Sequence, residues 1–402
     1  MAESVTFPVA RRGFLAGAAL LALDRSEAAE SELDRRIRSR MQRFLAAGEL
    51  PGVVTLVGSR EEVLSLVALG NRDLEGRPMR ANTPFRIASM TKPITSVAVM
   101  QLADAGRLSV EDPVEKHLPE FRGQMLIESR ERDRIVLVRP PRPITLRDLL
   151  THTSGLPGAP PPGMADLYQK RDRTLAEAVY AFSQRPLEFP PGSRWAYCNA
   201  GIDTLGRVVE VVSGAPFETY LDVHLFRPLG MKDTTFFPTR ELAGREAAIL
   251  NRRDGRLVPE EGAVVGSGAG ARYPIPAGGL VSTAPDLARF YRAMLRGGAL
   301  GEVRILSEAS VRTMTALQTG NLTTGFVPGM GFGFGWAVVR APEGVTAMLS
   351  PGTYGHGGAF GTQGWLDPLR GRFAILMIAR TGLANGDASE MRRELQAEAW
   401  GA

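Results

Sequence analysis

The chain of 402 residues has one cysteine, Cys198, so no intrachain disulfide can staple the fold. Lysine is nearly as scarce: of 48 basic residues only four are lysine, at positions 92, 116, 170 and 232. The net charge of +5 is therefore carried by arginine. Pairs such as Arg35-Arg36, Arg252-Arg253 and Arg392-Arg393 are scattered, with no long basic run and no aromatic interleaving. That pattern excludes a nucleic-acid footprint and reads as a solvated, mixed surface. The four histidines, at 117, 152, 224 and 356, show no metal-ligand spacing such as H-E-x-x-H, so neither a metal nor a cofactor is expected. No serine has glycine at both −2 and +2, which excludes the nucleophile elbow of α/β-hydrolases; S-D-N and K-T-G strings are absent too. Beyond the N-terminal segment no run is apolar enough for a membrane helix, so no stable membrane anchor is expected.

What is present is ordinary for a globular chain, with 44% hydrophobic and 23% charged residues. Arg11-Arg12-Gly13-Phe14-Leu15 is a twin-arginine pattern leading into an apolar run that ends at Leu23. The run is too short to span a bilayer and has signal-peptide proportions. Ser26 and Ala28 put small residues at −3 and −1 of a cleavage site. The expectation is a signal peptide over 1–28 and a mature protein that is periplasmic or secreted.

Ser31 is placed to cap a helix whose Leu33, Ile37, Met41 and Phe44 share one face. Val53–Val57 and Val63–Leu69 read as a hairpin, and a helix is expected to run from Ser89 to about Ala105. The stretch from about 107 to 275 is rich in proline, glycine and short helical patterns. Strand patterns resume at Gly335–Val339, Gln363–Asp367 and Phe373–Ile378, and Ser389–Trp400 closes the chain as a helix. The fold class is α/β of the α+β type: an antiparallel sheet from N- and C-terminal strands, flanked by helices, with a mainly helical insert. The expected organisation is one domain over 29–402, with its α/β part at about 31–88 and 275–402 and its insert at about 89–274. Gly331–Gly335 reads as the approach to a strand and Gly266–Gly270 as a flexible loop near the cleft. Neither has the strand, helix and acidic residue that a dinucleotide site needs.

Three segments carry chemistry. Ser89-Met90-Thr91-Lys92 puts a hydroxyl one helical turn before an amine, so Lys92 Nζ can lie beside Ser89 Oγ. That pairing activates a serine without a histidine. The second is Tyr197-Cys198-Asn199 and the third His356-Gly357-Gly358. Their order resembles the serine β-lactamase and penicillin-binding-protein superfamily, in its class C-like branch. That branch includes class C β-lactamases, DD-peptidases and family VIII carboxylesterases. Thr151-His152-Thr153-Ser154-Gly155 and Gly278-Gly279-Leu280-Val281-Ser282-Thr283 are similar to the same branch, and the resemblance extends over nearly everything after about residue 32.

A buried lysine cation favours a neighbouring phenolate, so Tyr197 is read as the general base, tuned by Lys92; neutral Lys92 is the alternative. In an extended segment Asn199 would point the same way as Tyr197. The resemblance implies that its amide binds a substrate carbonyl and holds Lys92. It also implies an oxyanion hole from the N–H groups of Ser89 and Ala359, with Gly357 and Gly358 leaving room for the substrate. His356 departs from the lysine that most β-lactamases and transpeptidases of the superfamily carry there, and a neutral imidazole gives no permanent charge for a substrate carboxylate. Cys198 is read as a small buried filler, and His152 as a structural residue capping a helix end. The expectation is a serine hydrolase forming an acyl-enzyme on Ser89, acting on small esters as a carboxylesterase. The alternatives are a D-amino-acid peptidase or DD-carboxypeptidase, a β-lactamase on amide substrates, and a binding module without turnover.

Overall fold

The protein is described by a computed structural model over residues 30–260 and 270–401. The twin-arginine segment and Gly266–Ala269 lie outside the described residues. The chain opens on α1 (Glu32–Ala46), where Ser31 Oγ accepts from the Asp34 N–H and the Asp34 carboxylate accepts from the Ser31 N–H. This reciprocal box satisfies two N–H groups that the helix itself cannot. Strands β1 (Gly52–Ser59) and β2 (Val63–Gly70) form the expected hairpin. Five more come from the far end of the chain: β3 (Met330–Phe332), β4 (Ala337–Val339), β5 (Tyr354–Gly357), β6 (Gln363–Asp367) and β7 (Arg372–Met377). They join in one seven-stranded sheet, ordered β3-β4-β5-β6-β7-β1-β2. Every pairing is antiparallel, with Leu56 of β1 opposite both Ile375 and Leu66.

The central strands are buried on both faces, and their residues divide with a period of two. Val54 and Leu56 of β1 join Phe373, Ile375 and Met377 in one core, while Val53 and Val57 join Ala374, Leu376 and Ile378 in another. The first core is closed by α2 (Thr91–Asp104) and α4 (Ala284–Leu295), the second by α1 and α5 (Glu390–Trp400). Between α2 and α4 runs the helical part, built around the buried face of α3 (Asn199–Ser213). No described helix is long and apolar enough to cross a membrane.

Three details depart from the sequence reading. The strand expected at Gly335–Val339 starts at Ala337, because Gly335 turns with φ +73° and a Cβ there would lie 2.0 Å from Ser96 Oγ on α2. Met330–Phe332, expected only as the approach to a strand, is a strand itself. The arginines are not all surface groups: Arg171 and Arg392 are fully buried, the second stacked 3.9 Å from the Trp365 ring centroid.

Candidate active site

Ser89 does not begin α2. It sits on a single 3-10 turn, Ala88–Met90, that precedes the helix. Ala88 holds φ +43°, a left-handed conformation that costs about 1–3 kcal/mol outside glycine. The surroundings impose it: Phe85–Arg86 pairs with Val281–Ser282, and the Ile87 N–H donates to the Leu280 carbonyl at 3.0 Å. The turn leaves Ser89 partly exposed above a fully buried Lys92. Lys92 Nζ lies 3.1 Å from Ser89 Oγ and donates to the Ala277 carbonyl at 2.7 Å. Burial drives the Lys92 amine well below its ordinary value, against the pull of Asp203. An amine that gives up its proton this readily, beside a hydroxyl, is a base in position.

Tyr197 hydrogen-bonds Ser89, and its ring centroid lies 4.6 Å from Lys92 Nζ. Burial pushes the phenol above its ordinary value, more strongly than the Ser89 hydrogen bond lowers it. The resting site therefore disfavours the tyrosinate expected from sequence, because burial of the phenol outweighs what its neighbours return.

His152 holds the tyrosine in place. Its ring is 4.6 Å from that of Tyr197, its Nδ1 accepts the Cys198 N–H at 3.2 Å, and its carbonyl accepts the Ala196 N–H at 2.9 Å. The residue adopts φ +60°. Burial and the nearby Lys92 keep the imidazole neutral, which its acceptor role requires. The ring thus fixes the Tyr197 segment; a helix-end cap, as read from sequence, describes only its backbone N–H to Leu149. Cys198 is buried with Sγ 3.7 Å from the Pro157 carbonyl, and burial raises its thiol to about 11, so it is an unreactive filler.

Asn199 is the first residue of α3, so the extended segment stops at Cys198. Its Oδ1 is buried without a hydrogen-bond partner. It does not hold Lys92; the Ala277 carbonyl does. His356 lies on β5 opposite Gly364, with Nδ1–H donating to the Gly357 carbonyl at 2.7 Å. Burial first, then Lys92, push its imidazole well below the ordinary histidine value. Its Nε2 is buried and has no hydrogen-bond partner among the described residues.

The two glycines after His356 do not simply make room for substrate. A Cβ on Gly357 would lie 1.9 Å from Asp387 Oδ1, and one on Gly358 would lie 2.5 Å from the Ile87 carbonyl oxygen. Gly358 is what lets the end of β5 lie against the Ser89 turn. Its own N–H is taken by the Thr362 carbonyl at 2.7 Å. Among the described residues, neither the Ser89 N–H nor that of exposed Ala359 has a backbone acceptor. Two free donors at this junction are what a developing oxyanion needs.

The sequence reading missed Asp203, Tyr168, Tyr273 and Ala277 behind Lys92, and an aromatic wall beside Tyr197. In that wall Trp195 and Phe326 lie 6.2 and 5.0 Å from the Tyr197 ring, and Phe332 lies 5.3 Å from Trp195. Asp203 carried a usable signal: it is the one carboxylate in the apolar run Ala200–Gly206. The wall carried none, since its members are scattered along the chain.

The beta-lactamase family profile matches residues 33–399. The chain belongs to the beta-lactamase family. Esterase EstB of Burkholderia gladioli is 32% identical over 380 residues, covering 87% of this chain and 91% of its own length. A putative D-alanyl-D-alanine carboxypeptidase of Salmonella schwarzengrund is 28% identical over 334 residues, covering 76% of this chain and 71% of its own. Among solved structures, EstCE1, described as a hydrolase with promiscuous acyltransferase activity, superposes with a TM-score of 0.76 at 27% identity. That match covers 92% of this chain and 98% of EstCE1. This beta-lactamase-family protein is a serine hydrolase with both esterase and peptidase relatives.

Proposed function

We propose that the protein is an exported carboxylesterase that forms an acyl-enzyme on Ser89. Neutral Lys92 takes the Ser89 proton as Oγ attacks the ester carbonyl. The N–H groups of Ser89 and Ala359 hold the oxyanion, and Asn199 contacts the acyl side. As the intermediate collapses, the Tyr197 phenol protonates the departing alkoxide and regains a proton from the Lys92 ammonium. Water then enters the same place, gives up a proton along the same route, and releases the acid and Ser89.

The observation that carries the ester reading is His356. Held neutral by burial, with Nδ1–H committed to Gly357, it offers no cation to a substrate carboxylate. The aromatic wall supports the same reading: Phe326 is 48% exposed beside Tyr197 and presents an apolar surface to the cleft. A neutral ester with an apolar group suits both features, and the likeness to EstB and EstCE1 agrees. The test compares kcat/KM for p-nitrophenyl esters, D-Ala-D-Ala peptides and nitrocefin, with Ser89→Ala as control. Esters should lead the panel; preference for the peptide would replace this reading with a carboxypeptidase, which the Salmonella relative's name suggests.

Export rests on Arg11 and Arg12. A fusion of residues 1–30 to a folded reporter should leave the cytoplasm, and changing both arginines to lysine should retain it. Unchanged export of the double variant would discard the twin-arginine route.

A further inference from the structure

Asp203 lies on α3 one turn beyond Asn199 and, like Lys92, is 0% exposed. An ionised carboxylate in a protein interior costs several kcal/mol unless hydrogen bonds and a counter-charge compensate it. Three donors converge on it: the Tyr273 hydroxyl at 2.5 Å and the Tyr168 hydroxyl at 3.1 Å on Oδ2, and the Ala277 N–H at 2.8 Å on Oδ1. The carbonyl of that same Ala277 accepts from Lys92 Nζ at 2.7 Å. Ala277 is thus clamped at both ends, by a buried carboxylate on its N–H and by a buried amine on its carbonyl.

We propose that Asp203 is a positioning residue, which through Ala277 fixes where the Lys92 amine sits and supplies the counter-charge for the ammonium it becomes on taking the Ser89 proton. This rests on the reading of Lys92 as base. The groups around the pair are accounted for. Tyr168 and Tyr273 have phenols held well above their ordinary value and remain donors. Cys198 stays a thiol, and His152 and His356 stay neutral. Arg171 donates to the Tyr273 carbonyl at 2.7 Å and to the Phe236 carbonyl at 3.0 Å. Asp203 is then the compensating charge for an interior ammonium, and its pull on Lys92 opposes the effect of burial. Without it the amine would be an even weaker base, and the charge formed during acylation would stand alone.

Asp203→Asn keeps the size and an acceptor for the Ala277 N–H but removes the charge. The readout is the rate of Ser89 labelling by a fluorophosphonate as a function of pH, which does not depend on the natural substrate. In the parent, labelling falls as pH drops through the Lys92 titration, because the protonated amine cannot accept. In Asp203→Asn this acid limb should move to lower pH, since the ammonium has lost its partner, and the plateau rate should fall by about tenfold or more. Asp203→Ser, smaller and also neutral, should move the limb the same way. A lowered plateau with an unmoved limb in either variant would assign Asp203 a packing role only. Failure of both to fold would make it a folding residue and equally overturn the proposal. A Lys92→Ala variant that keeps the parental limb would instead remove Lys92 as the base, a failure of the underlying reading that Asp203 variants do not mimic.

Discussion

The two sides of the cleft are built differently. On the helical side nearly every group is committed: Lys92 to Ser89 and Ala277, Asp203 to three donors, and the Tyr197 segment to the His152 ring and carbonyl. Facing it the groups are open: the Ala359 N–H and His356 Nε2 on the strand side, and the Asn199 amide oxygen at the start of α3, have no hydrogen-bond partner among the described residues. In the proposed mechanism the committed side handles protons, for which geometry and desolvation must be set before substrate arrives. In the same proposal the open side meets the substrate, which supplies the missing partners. Changes on the first side should therefore lower kcat broadly, and changes on the second should alter selection among substrates.

The largest loss should follow Ser89→Ala, which abolishes turnover and the covalent adduct while leaving Tm near the parent's. Mass spectrometry after incubation with a slow acylating inhibitor checks this; an adduct at full stoichiometry would put the nucleophile elsewhere. Tyr197→Phe should reduce kcat by about a hundredfold, the scale of a lost proton donor or acceptor, with little change in KM. Activity within a few-fold of the parent would show that Lys92 alone moves the protons and that only half of the committed side matters.

Gly358→Ala tests the junction between the two sides. The added methyl meets the Ile87 backbone oxygen and Thr362 Oγ1, so strand and turn must separate. Overpacking of this kind costs about 1–3 kcal/mol. Both Tm and kcat should fall, and an unchanged kcat would mean the Ala359 N–H does not serve the oxyanion. On the open side, His356→Lys should raise kcat/KM for substrates with a free carboxylate relative to neutral esters by about tenfold, the return from about 1.4 kcal/mol of charge pairing. An unchanged ratio would move His356 out of contact with the substrate.

The smallest effect concerns stability. His152 and His356 are held neutral in the folded protein, whereas an unfolded chain protonates them as pH falls below about 6.5. Stability should therefore decline on acidification, by up to about 1.4 kcal/mol per pH unit for each histidine, until the folded forms titrate. His152→Gln should flatten the fall in Tm between pH 7 and 5. If the slope is unchanged, the acid sensitivity lies elsewhere.

Most of the sheet was legible because its central strands are carried by branched residues, Val53–Val57 in β1 and Phe373–Met377 in β7, facing two cores. The weak strands were not. Met330–Phe332 and Tyr354–Gly357 owe their extended form to neighbours and to glycines that permit close approach, and local propensity barely marks them. The extended placement of Asn199 was misread for a related reason: its helix begins at Asn199 itself, ahead of Ile202, at a cap without a capping side chain.

The amino-acid sequence alone determined the fold class, the family and the placing of the Ser89 hydroxyl beside the Lys92 amine, because those depend on local spacing: a hydroxyl three residues before an amine, and apolar residues at alternate positions. Tertiary structure decided how each titratable member of the site is shifted from its ordinary value. Lys92, Tyr197, His152 and His356 have ordinary titrations in an open chain, and burial first, then their folded neighbours, move them. Asp203 and Ala277, 74 residues apart, meet only on folding, where the Ala277 N–H donates to Asp203 and the Ala277 carbonyl accepts from Lys92. Desolvation is a property of the packed whole, so no stretch of sequence records it.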